Sequence, residues 1–132
     1  MKILFICKHN RFRSKVAETI FNKINKNKNN KAESGGLGFK SSYITKNVVK
    51  IMKEKGYAVK GLPRKLKKSD TDNYDLLVIV ADNVDKNEFS DFNRRIIKWR
   101  IPDCNASEIK TIRKIVSEIE IRVKGLIEDL ER

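Results

Sequence analysis

The sequence predicts a three-layer α/β fold, a four-stranded parallel sheet with helices on both faces. Three observations predict it. Apolar runs too continuous for a half-exposed strand occur at Ile3-Leu4-Phe5-Ile6 and Leu76-Leu77-Val78-Ile79-Val80-Ala81, as expected of strands buried on both faces. Segments of helical period alternate with these runs, which implies parallel strands joined by crossovers. No internal repeat or linker interrupts the chain, so its 132 residues are read as a single domain, 1–132.

Residues 2 to 7 form the first strand, and Val16, Ala17, Ile20 and Phe21 place the first helix at about Arg13 to Lys26. The polar segment Asn27 to Lys31 is a solvated loop. Lys31-Ala32-Glu33-Ser34 is a short second strand, followed by Gly35-Gly36-Leu37-Gly38, where glycines permit close backbone packing or unusual dihedrals. That run lacks the spacing of a nucleotide fingerprint. Ile44, Val48, Val49, Ile51 and Met52 give an amphipathic helix to Lys55, closed by Gly56 as a C-cap.

Gly61 to Ser69 is a basic loop. Within it, Arg64-Lys65-Leu66 either lines an anion's approach or is simply solvated. After the buried strand at 76 to 81, Asp82 and Asn83 offer a cap for a short helix over about residues 83 to 91. Arg95 to Ile101 is the last strand, leading to Pro102-Asp103-Cys104-Asn105. From Ala106 onward, Ile109, Ile112, Ile115, Val116, Ile119, Val123, Leu126, Ile127 and Leu130 give one long helix with a single apolar stripe.

Composition narrows the function classes. Hydrophobic residues make up 39% of the chain, enough for one core when clustered in this way. No stretch approaches the roughly 18 apolar residues of a membrane span, and the run after Lys2 is too short for a signal peptide, so a cytoplasmic protein is expected. The only two cysteines, Cys7 and Cys104, argue against a disulfide framework and leave room for reactive roles. A single histidine, His9, makes a metal site improbable, and no cofactor is expected. Thirty Lys and Arg against seventeen Asp and Glu give a net charge of +13. Such a charge concentrates anionic ligands, favours weak salt-sensitive association with nucleic acid, or reflects a bias that keeps the protein soluble.

The chemistry concentrates in Cys7-Lys8-His9-Asn10-Arg11-Phe12-Arg13-Ser14, where the cysteine ends a strand and the arginine begins a helix. A loop between a strand's C-terminal end and a helix N-terminus directs several free N–H groups into one concavity, where the helix dipole also favours negative charge. Such a cradle binds a phosphate-like dianion. Thiols in this setting ionise more readily than free cysteine, so Cys7 is expected to be a thiolate nucleophile. Arg13 can grip two phosphate oxygens with one planar fork, and Ser14 can donate its hydroxyl to the sulfur.

The chain resembles the low-molecular-weight protein tyrosine phosphatases, whose fold is shared with the thioredoxin-coupled arsenate reductases. The matching residues are Cys7, Asn10, Arg13 and Ser14, Ala17-Glu18, Ser34 and Gly36, Arg64 and Leu66, Tyr74-Asp75-Leu76, and Pro102-Asp103. They follow the family's order over nearly the whole chain. The resemblance implies a phosphate-binding loop after strand 1 and a phosphocysteine intermediate on Cys7. It also implies Asp103 as the general acid and base, and Ser34 in the network beneath the loop. Phe39 and Tyr43 fall where the family carries variable aromatic residues at the pocket rim, and ordinary packing explains them equally well.

The chain also departs from the family. His9 stands where glycine is usual, and it either crowds the loop, adds a pH-sensitive cation or points to solvent. Lys15 and Cys104 replace prolines, Phe12 replaces a second loop cysteine, and the aromatic residues beyond the acid are absent. Cys104 is either a partly buried free thiol or the partner of Cys7 in a reversible disulfide.

The expected activity is hydrolysis of a phosphorylated protein or small aryl phosphate by a monomer. Arsenate reduction is the alternative enzyme, although the relatives' relay uses two further cysteines after the third strand and residues 82 to 92 contain none. A phosphate- or nucleic-acid-binding regulator without turnover is the alternative outside enzymes.

Overall fold

In the computed structural model, which describes residues 1–132, four strands form one sheet: β1 (Lys2–Cys7), β2 (Lys31–Gly36), β3 (Leu76–Val80) and β4 (Arg95–Trp99). Their order is β2-β1-β3-β4, and every pairing is parallel. The three α-helices are α1 (Arg13–Ile24), α2 (Lys46–Glu54) and α3 (Ile109–Leu130), and two short 3-10 helices lie at Lys68–Asn73 and Lys86–Phe89. No helix is long and apolar enough to cross a membrane.

Alternation along the strands divides the core in two. Ile3, Phe5, Leu76, Val78 and Val80 face α1, α2 and the stripe Ile112, Ile115, Val116, Ile119, Val123 and Leu126 of α3. Leu4, Ile6, Leu77 and Ile79 face the other way, against Leu66, Tyr74, Val84 and Phe89. Helices therefore flank both faces as expected, but all three α-helices cover one face while 3-10 turns and loops cover the other. Phe5 joins the layers at the centre, with its ring 6.0 Å from Phe21 and 5.9 Å from Trp99.

Several boundaries differ from the sequence reading for physical reasons. Strand β2 continues past Ser34 because Gly35 and Gly36 pair with Ile6 and Cys7, and Gly36 also exchanges backbone hydrogen bonds with Arg64 and Leu66. The glycines serve close packing rather than unusual dihedrals. A Cβ on Gly35 would lie 2.4 Å from a Leu66 methyl, and one on Gly36 would lie 2.7 Å from the His9 carbonyl carbon.

Helix α1 stops at Ile24, short of Lys26, and α2 starts at Lys46, leaving Ile44 buried ahead of it. Gly56 closes α2 as expected. With φ of 90° it lets Tyr57 N–H reach Met52 C=O at 2.8 Å and Gly56 N–H reach Lys53 C=O at 3.0 Å, a Schellman pair. Strand β4 ends at Trp99, and α3 begins at Ile109 because Asn105–Glu108 forms a turn first.

The crossover from β1 leads to β2 on one side, whereas the connection from β3 leads to β4 on the other. The C-terminal ends of β1 and β3 therefore flank a topological switch point, where open α/β sheets place their ligand crevices. Cys7 is the last residue of β1.

Candidate active site

The loop Lys8–Phe12 turns at Asn10, the one non-glycine residue with positive φ, at 57°. Asparagine tolerates this left-handed conformation better than most residues. Its side chain holds the turn in place. Asn10 Nδ2 donates to Ser14 Oγ at 2.7 Å and to Ser34 Oγ at 2.9 Å, while Oδ1 accepts from Arg64 N–H at 3.0 Å. Both amide hydrogens and the carbonyl are thus used, which fixes the orientation of the group.

Ser34 Oγ donates a hydrogen bond to the carboxylate of Glu18, and Glu18 in turn pairs with the buried Lys15 at 3.2 Å. Ser14 Oγ accepts from Asn10, lies 2.8 Å from Cys7 Sγ in a hydrogen bond that either atom can donate, and reaches Gly35 C=O only at 3.5 Å. Asn10 N–H donates to the sulfur at 3.3 Å. Cys7 therefore sits on the loop floor, its sulfur held by the Ser14 hydroxyl and the Asn10 amide.

Helix α1 opens at this loop without a capping side chain, because Phe12 occupies the N-cap position and the first turn holds no carboxylate. Its leading amides are left for a ligand. Arg13 is only 2% exposed, and two segments hold it. Nη1 donates to Ile101 C=O at 2.9 Å and to Asp82 Oδ1 at 3.5 Å, and Nη2 donates to Asn83 Oδ1 at 3.0 Å. Asp103 Oδ2 lies 3.7 Å from Nη2. The guanidinium thus ties together the chain segments that leave β1, β3 and β4.

Asp82 and Asn83 were expected to cap a short helix. Instead they hold Arg13, and the 3-10 helix that follows is capped by Asp85, which accepts from Asn87 N–H at 2.9 Å. Of Arg64-Lys65-Leu66, Lys65 is solvated as one of the two expectations had it, while the rest of the segment takes neither expected role. It braces the loop from below through Arg64 N–H, Gly36 and Leu66.

A cavity of about 280 Å³ opens above the sulfur, lined by Cys7, His9, Arg11, Phe12, Arg13 and Asp103. Lys40, Thr45, Val48, Cys104, Asn105, Ala106 and Ile112 complete its wall. Asp103 is exposed, with Oδ1 accepting from Cys104 N–H at 2.9 Å. The geometry brings together Cys7, Arg13 and Asp103 at the cavity, with Asn10, Ser14 and Ser34 beneath it. Lys8, Phe39 and Tyr43 stand exposed outside the lining; Tyr43 contributes only its carbonyl, which holds Arg11 Nε at 2.9 Å.

Partial burial and the nearby Lys40 and Lys8 hold the His9 imidazole below its usual 6.5, against the pull of Asp103. At neutral pH it is therefore an uncharged wall residue rather than a cation. Cys104 is a free thiol, as is Cys7, and burial together with Asp103 and Glu108 raises its pKa. No group of three or more His, Cys, Asp or Glu residues is placed to hold a metal ion.

The sequence matches the family model described as low molecular weight phosphotyrosine protein phosphatase over residues 2–132. Among solved structures it is similar to an arsenate reductase from Archaeoglobus fulgidus DSM 4304, with 29% identity, TM-score 0.80 and coverage of 96% of this chain and 98% of that one. A low molecular weight protein tyrosine phosphatase from T. tengcongensis matches at 23% identity and TM-score 0.85, covering 98% of this chain and 99% of that one. The YwlE arginine phosphatase from Geobacillus stearothermophilus matches at 20% identity and TM-score 0.86, covering 98% and 92%. No curated protein matches the sequence. With a family match spanning all but the first residue and a parallel sheet common to these relatives, the chain belongs to the low molecular weight phosphotyrosine protein phosphatase family.

Proposed function

We propose that the protein hydrolyses phosphomonoesters, phosphotyrosine in a protein or a small aryl phosphate, through a phosphocysteine on Cys7. The observation that carries this reading is the meeting of Cys7, Arg13 and Asp103 in one cavity, although 96 residues of sequence separate the first from the last.

In the first step the Cys7 thiolate, stabilised by the Ser14 hydroxyl and Asn10 N–H, attacks phosphorus in line with the ester bond. An S–P bond forms, the P–O bond breaks, and Asp103 gives its proton to the departing oxygen. The loop amides and Arg13 hold the equatorial oxygens, where charge develops. In the second step water attacks phosphorus, the Asp103 carboxylate takes its proton, and the S–P bond breaks to release inorganic phosphate and the thiolate. The scheme needs no cofactor. Its natural setting is the cytoplasm, where Cys7 stays reduced.

Arsenate reduction is the second reading, favoured by Cys104 in the same cavity as Cys7 and by the likeness to the A. fulgidus arsenate reductase. The absence of cysteine from residues 82 to 92 counts against it.

The test is turnover of para-nitrophenyl phosphate in the presence of a chelator, by wild type and Cys7→Ser, followed by a panel of phosphotyrosine, phosphoserine, phosphoarginine and arsenate. Chelator-resistant hydrolysis lost in Cys7→Ser supports the phosphatase. Arsenite formation with thiol reductant and no ester hydrolysis replaces it with the reductase, and anion binding without either reaction replaces it with a binding module.

A further inference from the structure

The cavity mouth carries more positive charge than one phosphate requires. Arg11 and Lys40 both line it, and the only carboxylate there, Asp103, already faces Arg13. Neither Arg11 nor Lys40 forms an ion pair within the protein, as is true of most of its Lys and Arg, so both charges at the mouth are uncompensated. Arg11 is also positioned rather than free. Its Nε donates to Tyr43 C=O at 2.9 Å and its own carbonyl accepts from Thr45 N–H at 3.3 Å, which leaves the two Nη nitrogens for an outside acceptor. Lys40 lies close enough to His9 to disfavour the imidazolium, so its charge acts inside the mouth and not only in bulk solvent. The aromatic alternatives, Phe39 and Tyr43, stay outside the lining.

We infer that Arg11 and Lys40 form a second anion subsite at the cavity mouth. The preferred substrate is then a phosphomonoester carrying another anionic group, a carboxylate or a second phosphate, about one side chain away. This rests on the phosphomonoester reading and narrows its substrate class. A planar guanidinium fixed at one end suits either oxyanion, and the ammonium of Lys40 adds a mobile point charge beside it. Exposed charge pairs are individually weak, so each is expected to contribute roughly two- to fivefold.

The experiment measures binding of three phosphotyrosine peptides to the Cys7→Ser protein at fixed ionic strength. The peptides are identical except that the residue beside phosphotyrosine is glutamate, phosphoserine or alanine. The glutamate or phosphoserine peptide is expected to bind about five- to tenfold more tightly than the alanine peptide, and the better of the two identifies the second group as carboxylate or phosphate. Arg11→Gln and Lys40→Gln, each added to Cys7→Ser, should cut that preference about threefold. Lys28→Gln, in the loop before β2 at the opposite end of the sheet, removes the same unit of charge and should leave the preference intact.

Equal affinity for all three peptides, or an equal loss from Lys28→Gln, overturns the subsite and reduces the effect to net charge. Turnover of para-nitrophenyl phosphate by the wild type, run alongside, separates the two claims. Turnover without peptide preference removes the subsite alone, and preference without turnover removes the hydrolase reading alone.

Discussion

Asn10, Ser14 and Ser34 matter because their hydrogen bonds hold the loop around the sulfur of Cys7, and in the proposed cycle Asp103 would complete the chemistry that the sulfur begins. Asp103→Asn removes the proposed proton donor without removing bulk. Its kcat for phenyl phosphate is expected to fall by about 10²-fold or more, while para-nitrophenyl phosphate, whose leaving group needs a proton less, should suffer less. Steady-state kinetics on the two esters measure the difference, and an equal effect on both would remove Asp103 from the acid role.

His9 supplies a pH dependence. Its pKa lies below 6.5 in the free protein, chiefly because burial and neighbouring cations oppose the charged form, and an oxyanion in the loop reverses that balance. The bound-state pKa is therefore the higher one, and binding takes up a proton. Affinity for sulfate, an oxyanion of fixed charge over this range, should rise as pH falls from about 8 through the bound-state pKa, then level off below the free-state value. Calorimetric titration should show His9→Asn losing that part of the pH dependence.

At this scale the residues of the Cys7–Ser14 loop were legible because their chemistry is local to one strand-loop-helix joint. Asp82, Asn83 and Arg64 were not, because only the pairing of β3 beside β1 and the bridge between Gly36 and Lys65 bring them to the loop. The position of Asp82 just past the strand next to β1 was the one available signal.

Among the elements, the close approach of β2 to the Lys8–Phe12 loop has the most direct consequence. A Cβ on Gly36 would lie 2.7 Å from His9 C and 2.8 Å from Asn10 N, both backbone atoms that cannot step aside singly. Gly36→Ala is expected to displace the loop, destabilise the fold by about 1–3 kcal/mol and lose most phosphate affinity. Gly38→Ala, whose Cβ would meet nothing nearer than 3.7 Å, should do neither. Urea denaturation and phosphate titration of the two variants check this.

Strands β1 and β3 and helix α3 were readable because burial on both strand faces and a stripe along one helix leave strong periodic patterns. The 3-10 helix at Lys68–Asn73 left none, being short and polar, whereas the one at Lys86–Phe89 lies within the short helix expected over about residues 83 to 91. The charges of β4 made it hard to read, and its edge position explains them: β4 pairs only with β3, and Arg95 is exposed.

For the molecule as a whole, a charge of +13 acts on every anionic substrate before it reaches the site. The Debye length shrinks from about 30 Å at 0.01 M salt to about 8 Å at 0.15 M, so kcat/KM for para-nitrophenyl phosphate should fall severalfold across that range. The kcat value should hardly change, because the bound ester is shielded from salt. Stopped-flow binding and steady-state rates at matched salt check the split.

The sheet order makes the site possible, since the segments after β1, β3 and β4 meet only where the crossovers diverge. The most direct measurement of the central claim is mass spectrometry on protein quenched in alkali during turnover of para-nitrophenyl phosphate. A phosphoryl group on the peptide containing Cys7, absent from Cys7→Ser and mapped to sulfur, is the predicted result. Turnover with the phosphoryl group on His9, or with no covalent adduct under rapid quenching, would contradict the account.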